Sequence, residues 1–235
     1  MEVTRVEAAV QTWPDWLSIA FARLKDVRTA RQDMADAGAA GDDAAESAAL
    51  TEEFQASLQA ISAAVFGLDG FYGVIRDMVK VPEAVKAARK AGGVGRAVWV
   101  ADAIIRASRM PNNGRKTMTE SVHIAYELRD GAAHPPFTVE PYAIHSGLNQ
   151  AVPRFYANYT LELSTGAVGW ATEAIMWVVD RPQPRNAAVC DYAKGASDIL
   201  HAVVDEHLTY NPDAPVGRRP PSTFGPEGDL TKEPG

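Results

Sequence analysis

The chain has 235 residues, of which 46% are hydrophobic and 23% are charged, and its formal net charge is -7. These proportions are those of an ordinary globular protein with a sizeable core, so the composition excludes a disordered chain. The negative charge argues against a broadly basic nucleic-acid surface. The single cysteine, Cys190, excludes an intrachain disulfide and a thiolate-rich metal cage.

The amino-terminal residues do not predict export. Residues 1–7 contain acidic side chains where a signal peptide needs a basic stretch and then an apolar run. The most apolar segment, residues 174–179, is far shorter than the roughly 20 residues that cross a bilayer. We therefore expect a cytoplasmic protein with no membrane association.

A first helix is predicted over about residues 13–35. Thr12 offers a side-chain oxygen to cap free amides, Pro14 needs no amide partner, and Asp15 lies near the positive end of the helix dipole. The small, acidic segment 37–43 is predicted to be a connector. Apolar residues recur at helical spacing along the helix, at Trp16, Ile19, Ala20, Leu24 and Val27.

A long second helix is predicted over about residues 43–79, with one apolar side. Gly67, Gly70 and Gly73 cluster in its second half, although each glycine costs roughly 1 kcal/mol of helix stability relative to alanine. Small residues allow two helices to approach closely. We therefore expect either that another element packs closely against this part of the helix, or that the helix is kinked there.

Two shorter helices are predicted next. Pro82 begins a basic helix over residues 83–90, which ends at two glycines, and another helix covers about residues 94–108. Residues 111–114, Pro-Asn-Asn-Gly, are typical of a tight turn. The helix before this turn should therefore pack against the helix after it. Between residues 95 and 134 six basic side chains stand against four acidic ones, which is compatible with a local basic patch.

The helix predicted over about residues 115–130 has the most informative pattern. At 100° per residue, Met118, Val122 and Ala125 form an apolar stripe, and Arg129 falls in the middle of it. Burying an unpaired guanidinium would cost several kcal/mol. Arg129 must therefore reach a carboxylate, a cluster of backbone carbonyls, a subunit interface or a bound phosphate. The opposite side of the helix is polar, at Glu120, His123, Glu127 and Asp130.

The pattern changes after two consecutive prolines. Segments 137–144 and 152–161 contain aromatic and β-branched residues, and the second segment alternates with a period of two. The turn-like residues 146–149 separate the two segments, so we predict a short β-hairpin. The aromatic residues also leave open a pocket for a small regulatory molecule, at Tyr142, Phe155 and Tyr159.

Two further helices are predicted before the carboxyl terminus. Ser164 or Thr165 caps a helix that ends near Val179, and a last helix covers about residues 185–208. Residues 211–235 are rich in proline, glycine and charge, and they lack a hydrophobic period. We therefore expect a disordered tail there.

The predicted fold is all-α: an antiparallel bundle of about six or seven helices with a short β-hairpin near residues 137–161. We divide the chain into three parts. Residues 1–45 are an amino-terminal helix and connector that pack on the bundle, residues 46–210 are the bundle, and residues 211–235 are the tail.

Several common kinds of site are not indicated by the sequence. Residues 92–95, Gly-Gly-Val-Gly, have neither the spacing nor the preceding strand of a nucleotide-binding loop. No serine lies in a Gly-x-Ser-x-Gly context, and Cys190 has no basic neighbour, so no nucleophile is indicated. His123 and Glu127 share a helical face, but no second cluster supplies the other ligands that a metal site needs. We expect neither a metal nor a cofactor.

The residues from Arg129 to His134 read Arg-Asp-Gly-Ala-Ala-His, and two prolines follow them. This arrangement at a helix end resembles the Arg-x4-6-His signature of the HEPN superfamily, the higher eukaryotes and prokaryotes nucleotide-binding domains. The family favours a polar residue after the arginine, and Asp130 supplies it here. The helical framework over about residues 51–207 is compatible with such a domain.

The resemblance implies a metal-independent endoribonuclease, usually a homodimer that brings two such motifs into one cleft. His134 would transfer a proton during attack of a ribose 2′-hydroxyl on the adjacent phosphate, and Arg129 would stabilise the charge on the phosphoryl oxygens. Asp130 would orient one of them, while Arg115 and Lys116 would hold the RNA backbone. A toxin or phage-defence setting with an antitoxin-like protein partner would suit this activity.

The resemblance also has a non-catalytic alternative. Some members of the superfamily have lost catalysis and serve as interaction modules. In that case the chain would be a dimerisation or partner-binding module, and Arg129 would pair with a carboxylate inside it.

Overall fold

The computed structural model describes residues 11–133, 142–148 and 150–210. These residues form eight helices and one antiparallel sheet of two short strands. The predicted all-α bundle with a short hairpin is therefore confirmed. The elements are α1 (Trp13–Ala40), α2 (Asp43–Ile75), α3 (Glu83–Ala91), α4 (Arg96–Ala107), α5 (Asn112–Ala133), β1 (Tyr142–Ile144), β2 (Ala151–Pro153), α6 (Arg154–Ala157), α7 (Leu161–Asp180) and α8 (Ala187–Tyr210).

The two longest helices, α1 and α2, pack along each other and are joined by a very short connection. Gly41 has a φ of 69°, in the left-handed region that favours glycine, and it ends α1. Asp42 caps α2, because its carboxylate accepts a hydrogen bond from the amide of Ala45 at 3.0 Å. The connector predicted over residues 37–43 is therefore too long, since α1 continues to Ala40.

Close packing at the start of α1 explains two of the glycines in α2. A Cβ atom on Gly67 would lie 3.2 Å from a methyl group of Leu17, and one on Gly70 would lie 3.3 Å from the backbone nitrogen of Trp13. A Cβ atom on Gly73 would meet no other element within 4 Å. The predicted close approach is confirmed at the first two positions.

The core lies around α7, which packs against α1, α2, α4, α5 and α8. α4 also packs against α5, as predicted. α3 contributes no buried residue, so it lies on the surface of this bundle. The buried apolar residues of α7 are mostly small or β-branched, which permits close helix packing: Ala167, Val168, Ala171, Ala174, Ile175, Val178 and Val179.

The hairpin is present but is shorter than predicted. β1 and β2 are antiparallel, with Ala143 opposite Val152. The extended segment predicted over residues 152–161 is wrong beyond Pro153, because the next four residues form α6. Most of the other predicted segment, residues 137–141, lies outside the described residues.

The aromatic residues that suggested a strand belong to a helical packing cluster. Phe155 and Tyr159 are four residues apart and pack together, with ring centroids 5.2 Å apart. Both rings also lie against Phe54 of α2, at 5.2 and 5.5 Å. Phe155 lies in α6 and Tyr159 lies in the bend after it, so the chain turns between them and brings both rings onto α2 without an extended strand.

The boundaries of α5 also differ from the prediction. Residues 111–114 do not form a separate turn, because α5 already begins at Asn112. The helix also ends later than the predicted residue 130, since α5 continues through Gly131 to Ala133. The predicted inward face is confirmed, with Met118, Val122 and Ala125 buried.

Three predicted details of the other helices are wrong. Thr12 precedes α1, but its side chain makes no capping hydrogen bond. Ser164 lies inside α7, where its Oγ donates to the carbonyl oxygen of Thr160 at 2.8 Å. The spacing of apolar residues in the last helix predicts an inward face at Ala188, Tyr192, Ile199, Val203 and Leu208. In α8, Val203 is buried and Tyr192 packs against the core, but Ala188 and Ile199 are exposed. The buried residues of this helix are Val189, Ala193, Ala196, Leu200, Val203 and Val204.

One helix among the described residues, α2, is long and apolar enough by length and composition to cross a membrane. Half of its most apolar stretch is buried inside the bundle. Core helices of soluble proteins meet the same criteria, and α2 packs against α1 and α7. The sequence had pointed only to residues 174–179 as the most apolar segment. The predicted tail, residues 211–235, lies outside the described residues.

Candidate functional site at the end of α5

Arg129 lies near the carboxyl-terminal end of α5 and pairs with two carboxylates. Its Nη1 donates to Asp69 of α2 at 3.3 Å, and its Nε and Nη2 donate to the neighbouring Asp130. The guanidinium also lies 4.8 Å from the centre of the Tyr126 ring. The side chain of Arg129 remains 21% exposed. The sequence left four kinds of partner open for Arg129, and among the described residues its partners are carboxylates.

Asp69 joins three donors from two neighbouring helices. Its Oδ1 accepts a hydrogen bond from the Tyr126 hydroxyl at 2.7 Å and one from the Nε of Arg96 at 2.7 Å, and its Oδ2 accepts from Arg129. Burial of the phenol, together with the charge of Asp69, raises the pKa of Tyr126. Tyr126 therefore stays protonated and continues to donate to Asp69.

Arg96 is a second arginine in the site, on the first turn of α4. Its guanidinium stacks over Tyr72, 4.2 Å from the ring centre, and its side chain is 44% exposed. Asp69 binds its Nε, and no other acceptor for its guanidinium is found among the described residues. The site thus presents two fixed guanidinium groups on one carboxylate, an arrangement that can bind a phosphate.

Sequence reasoning missed the roles of Asp69 and Arg96. Asp69 was not singled out, and Arg96 was counted only as part of a basic region. A signal for the aspartate was available: between residues 54 and 75 it is the only charged residue in an otherwise apolar and uncharged part of α2. A lone carboxylate in such a segment needs a cationic or hydrogen-bonding partner.

The remaining motif residues lie at or beyond the end of α5. Asp130 is largely exposed and remains in contact with Arg129. His134 lies outside the described residues. The end of α5 is held by Tyr159, whose hydroxyl donates to the carbonyl oxygen of Leu128 at 2.7 Å. A fixed helix end therefore precedes the position of His134.

The structure does not bring the two predicted RNA-binding residues to this site within one chain. Arg115 and Lys116 lie in the first turns of α5, about 14 residues and therefore about 21 Å along the axis from Arg129. Arg115 donates to the carbonyl oxygen of Met110 at 3.3 Å, and Lys116 is exposed. Only a second copy of the chain could place them near the motif.

The polar face of α5 does not offer a metal site among the described residues. His123 Nε2 lies 3.2 Å from Glu127, and both side chains are well exposed, as for an ordinary pair one helical turn apart. No group of three or more histidine, cysteine, aspartate or glutamate side chains close enough to hold an ion is found in the described part of the chain.

A second polar cluster is buried beneath the hairpin. Glu53 of α2 and His145 after β1 are both fully buried, and the Nε2 of His145 lies 3.6 Å from Glu53. Arg31 of α1 donates to Glu53 at 2.7 Å and to Glu162 of α7 at 2.9 Å. The cluster joins α1, α2, α7 and the hairpin, so its role is to hold these elements together.

Burial, charges and hydrogen bonds in this cluster lower the pKa values of His145 and Glu162. Burial lowers the pKa of His145, and the nearby Arg31 lowers it further, although Glu53 opposes both effects. Burial would raise the pKa of Glu162, but hydrogen bonds from Arg31 and Ser146 outweigh burial and bring the pKa to about 2. His145 is therefore neutral and Glu162 ionised near neutral pH.

Comparisons of the chain with models of known protein families, with curated proteins and with solved structures find no match.

Proposed function

We propose that this chain is a HEPN-like endoribonuclease whose site lies at the carboxyl-terminal end of α5. The observation that supports this proposal is the placement of Arg129, which is oriented by Asp69 and Asp130, remains partly exposed and precedes His134 by five residues. Arg96 provides a second cation on the same carboxylate. These features fit a site that binds the phosphate of an RNA chain.

Each residue has a defined role in the proposed reaction. His134 removes the proton from a ribose 2′-hydroxyl, whose oxygen attacks the adjacent phosphorus. A 2′,3′-cyclic phosphate forms, and the 5′-oxygen of the next nucleotide leaves as a hydroxyl after it takes a proton from water. Arg129 stabilises the negative charge that develops on the phosphoryl oxygens. Asp130 is exposed and can turn away to free two donor atoms of Arg129, while Asp69 keeps the guanidinium in place.

The assembly and setting in this proposal come from the superfamily resemblance. A homodimer would bring two copies of the motif into one cleft, and it would also let Arg115 or Lys116 of one copy approach the motif of the other. A cytoplasmic toxin or defence nuclease held in check by an antitoxin-like partner would suit such an enzyme.

The test is cleavage of RNA by the purified protein in the presence of a metal chelator. The wild-type protein should cleave, and His134→Ala should be at least about 100-fold slower, because general acid-base catalysis contributes 10²–10⁴-fold. His123→Ala is the matched control, since it removes an exposed histidine from α5. Equal cleavage by wild type and His134→Ala, or no cleavage by either, would rule out the catalytic proposal.

A second candidate function is a non-catalytic dimerisation or partner-binding module. It is favoured by the observation that the two carboxylates of Asp69 and Asp130 already balance the charges of Arg96 and Arg129. In this case the wild-type protein and the Arg129→Ala variant should both lack nuclease activity. The variant should also lose oligomeric mass on light scattering, and an unchanged mass would count against the module.

A further inference from the structure

A surface cavity of about 380 Å³ lies between α3 and the start of α4. Three basic side chains, Lys86, Arg89 and Lys90, line it together with Trp99. A second cavity of about 190 Å³ shares Lys86 and Trp99 and extends to Tyr72 on α2. The two cavities lie on either side of these shared side chains, and we call them together the Trp99 groove.

Trp99 and Arg89 form a stacked pair at the wall of this groove. The Arg89 guanidinium lies 5.1 Å from the centre of the Trp99 ring. Asp102 holds it there, because this carboxylate accepts from Arg89 at 3.0 Å and from Arg106 at 2.7 Å. Burial of Asp102 opposes its ionisation, but these hydrogen bonds lower its pKa, so Asp102 stays ionised and continues to bind Arg89. A fixed indole beside a fixed guanidinium is a platform on which a nucleobase can stack.

The basic side chains of the groove come mainly from α3. This helix contributes no buried residue, so its side chains do not serve to pack the core. Lys86 pairs with the exposed Glu83 at 2.7 Å, and Lys90 has no acidic partner among the described residues. Five basic groups therefore stand against three acidic ones in and beside the groove: Arg76, Lys86, Arg89, Lys90 and Arg106 against Asp77, Glu83 and Asp102. A local excess of positive charge therefore exists on a chain whose net charge is -7.

A series of side-chain contacts links the Trp99 groove to the site at the end of α5. Tyr72 lines the groove on the α2 side, and Arg96 stacks on the same Tyr72 ring at 4.2 Å. Arg96 in turn shares Asp69 with Arg129. Aromatic and cationic groups thus follow one another from Trp99 to Arg129, which is the pattern of a single-stranded nucleic-acid track.

We propose that the Trp99 groove binds a nucleotide unit, with the base against Trp99 and Arg89 and the phosphate on Lys86 and Lys90. The unit is either a free nucleotide or one nucleotide of a single-stranded RNA that continues to Arg129. Only the second case rests on the proposed nuclease function. Binding in the groove itself requires neither His134 nor cleavage.

The experiment measures binding with a fluorescent, uncleavable 2′-O-methyl RNA single strand of about ten nucleotides, a length within the usual footprint of such sites. Trp99→Leu keeps apolar volume but removes the stacking surface, and it should weaken binding about tenfold. Lys86→Ala with Lys90→Ala should weaken binding and reduce the slope of log affinity against log salt by about 0.7 for each lysine. Adenosine monophosphate is then added as a competitor. If it displaces the RNA at a concentration comparable to that of the RNA, the ligand is a free nucleotide; if it does not, the ligand is RNA.

Lys194→Ala is the matched control, because it removes an exposed lysine from α8 outside the groove and should leave binding unchanged. Thermal melting of each variant confirms that it is folded. No binding by the wild type, or wild-type binding by Trp99→Leu, overturns the proposal. Normal, Trp99-dependent binding together with no RNA cleavage would support the groove while the nuclease proposal fails.

Discussion

At the scale of single residues, Asp69 is the side chain on which the candidate site depends. It accepts hydrogen bonds from Tyr126, Arg96 and Arg129, and it is itself only 24% exposed. Without it, two guanidinium groups would lie close together without the carboxylate between them, and the Tyr126 hydroxyl would lose its acceptor. Removing one partner of a partly buried charged network costs more than the network contributes as a whole, because the remaining groups stay desolvated.

We therefore predict that Asp69→Ala destabilises the protein more than Arg129→Ala does. Arg129→Ala removes one donor and leaves Asp69 with two others, so the expected loss is about 1–2 kcal/mol after allowance for solvent screening. Asp69→Ala strands three donors and should cost about 2–4 kcal/mol. Thermal or urea unfolding measures both losses, and each kcal/mol corresponds to about 2–4 °C in Tm for a chain of this size.

Asp77→Ala is the control for the aspartate substitution. Asp77 pairs with Arg76 at 3.5 Å on the surface and is 84% exposed, so its loss should leave Tm almost unchanged. An Asp69→Ala protein that melts with the wild type would show that the hydrogen-bonded arrangement around Asp69 does not exist in solution. The same result for Arg129→Ala alone would fit an arginine whose role is to bind substrate.

At the scale of elements, the two glycines near the end of α2 allow a matched comparison. A Cβ atom on Gly70 would lie 3.2 to 3.4 Å from Thr12 and Trp13, including backbone atoms that cannot easily move, whereas one on Gly73 would meet no other element. Gly73→Ala should therefore gain up to about 1 kcal/mol from helix propensity. Gly70→Ala should gain less or lose stability, because α1 must shift.

Unfolding curves of the two alanine variants test this prediction directly. The two substitutions are chemically identical and lie one helical turn apart, so the difference between them isolates the contact with α1. If Gly70→Ala is stabilised as much as Gly73→Ala, the start of α1 does not pack on α2 as closely as the described distances require.

The elements also show which features local pattern could and could not predict. The inward face of α5 was predicted correctly, because helical periodicity alone decides that Met118 and Val122 share a side. The stripe predicted for α8 was correct at Val203, but it included Ile199, which is exposed, and left out Ala193 and Ala196, which are buried. Large apolar side chains dominate a sequence pattern, but close helix packing selects small ones.

The candidate site was predictable only in part, for a similar physical reason. The position of Arg129 in the apolar stripe follows from the sequence of one helix. Its partner does not, because Asp69 is 60 residues away and meets Arg129 only when α2 and α5 pack together. Arg96 joins them from a third helix. Networks that link several elements leave no periodic trace in the sequence.

At the scale of the whole molecule, the buried cluster and the candidate site are joined by a short series of contacts. Glu53 accepts a hydrogen bond from the amide of Leu161 at 2.9 Å, which fixes the start of α7. Two residues earlier, Tyr159 donates to the carbonyl oxygen of Leu128 near the end of α5. Loosening the buried cluster should therefore reach the helix end that carries the motif.

Acidification should loosen the buried cluster, and the direction of this effect follows from the lowered pKa of His145. Its pKa is lowered in the folded protein, so below about pH 6.5, its ordinary value, the unfolded chain binds a proton that the folded chain does not. Stability is unaffected by this group above that pH and falls as the pH drops, by up to about 1.4 kcal/mol per pH unit. Burial also lowers the pKa of His207, which contributes in the same direction. Glu162, with a pKa of about 2 against an ordinary value of 4.5, extends the loss below pH 4.5.

We predict that the wild-type Tm falls between pH 7 and pH 5 and that His145→Gln shows a shallower fall, because glutamine does not titrate. The His145 ring faces Glu53 of α2, Arg31 of α1 and Glu162 of α7. His123→Gln is the control, since that histidine is exposed and should leave the slope unchanged. Differential scanning calorimetry across this pH range gives the comparison. Equal slopes for wild type and His145→Gln would mean that His145 is protonated as readily in the folded protein as in the unfolded chain, and the hairpin would then not be held over a neutral, buried imidazole.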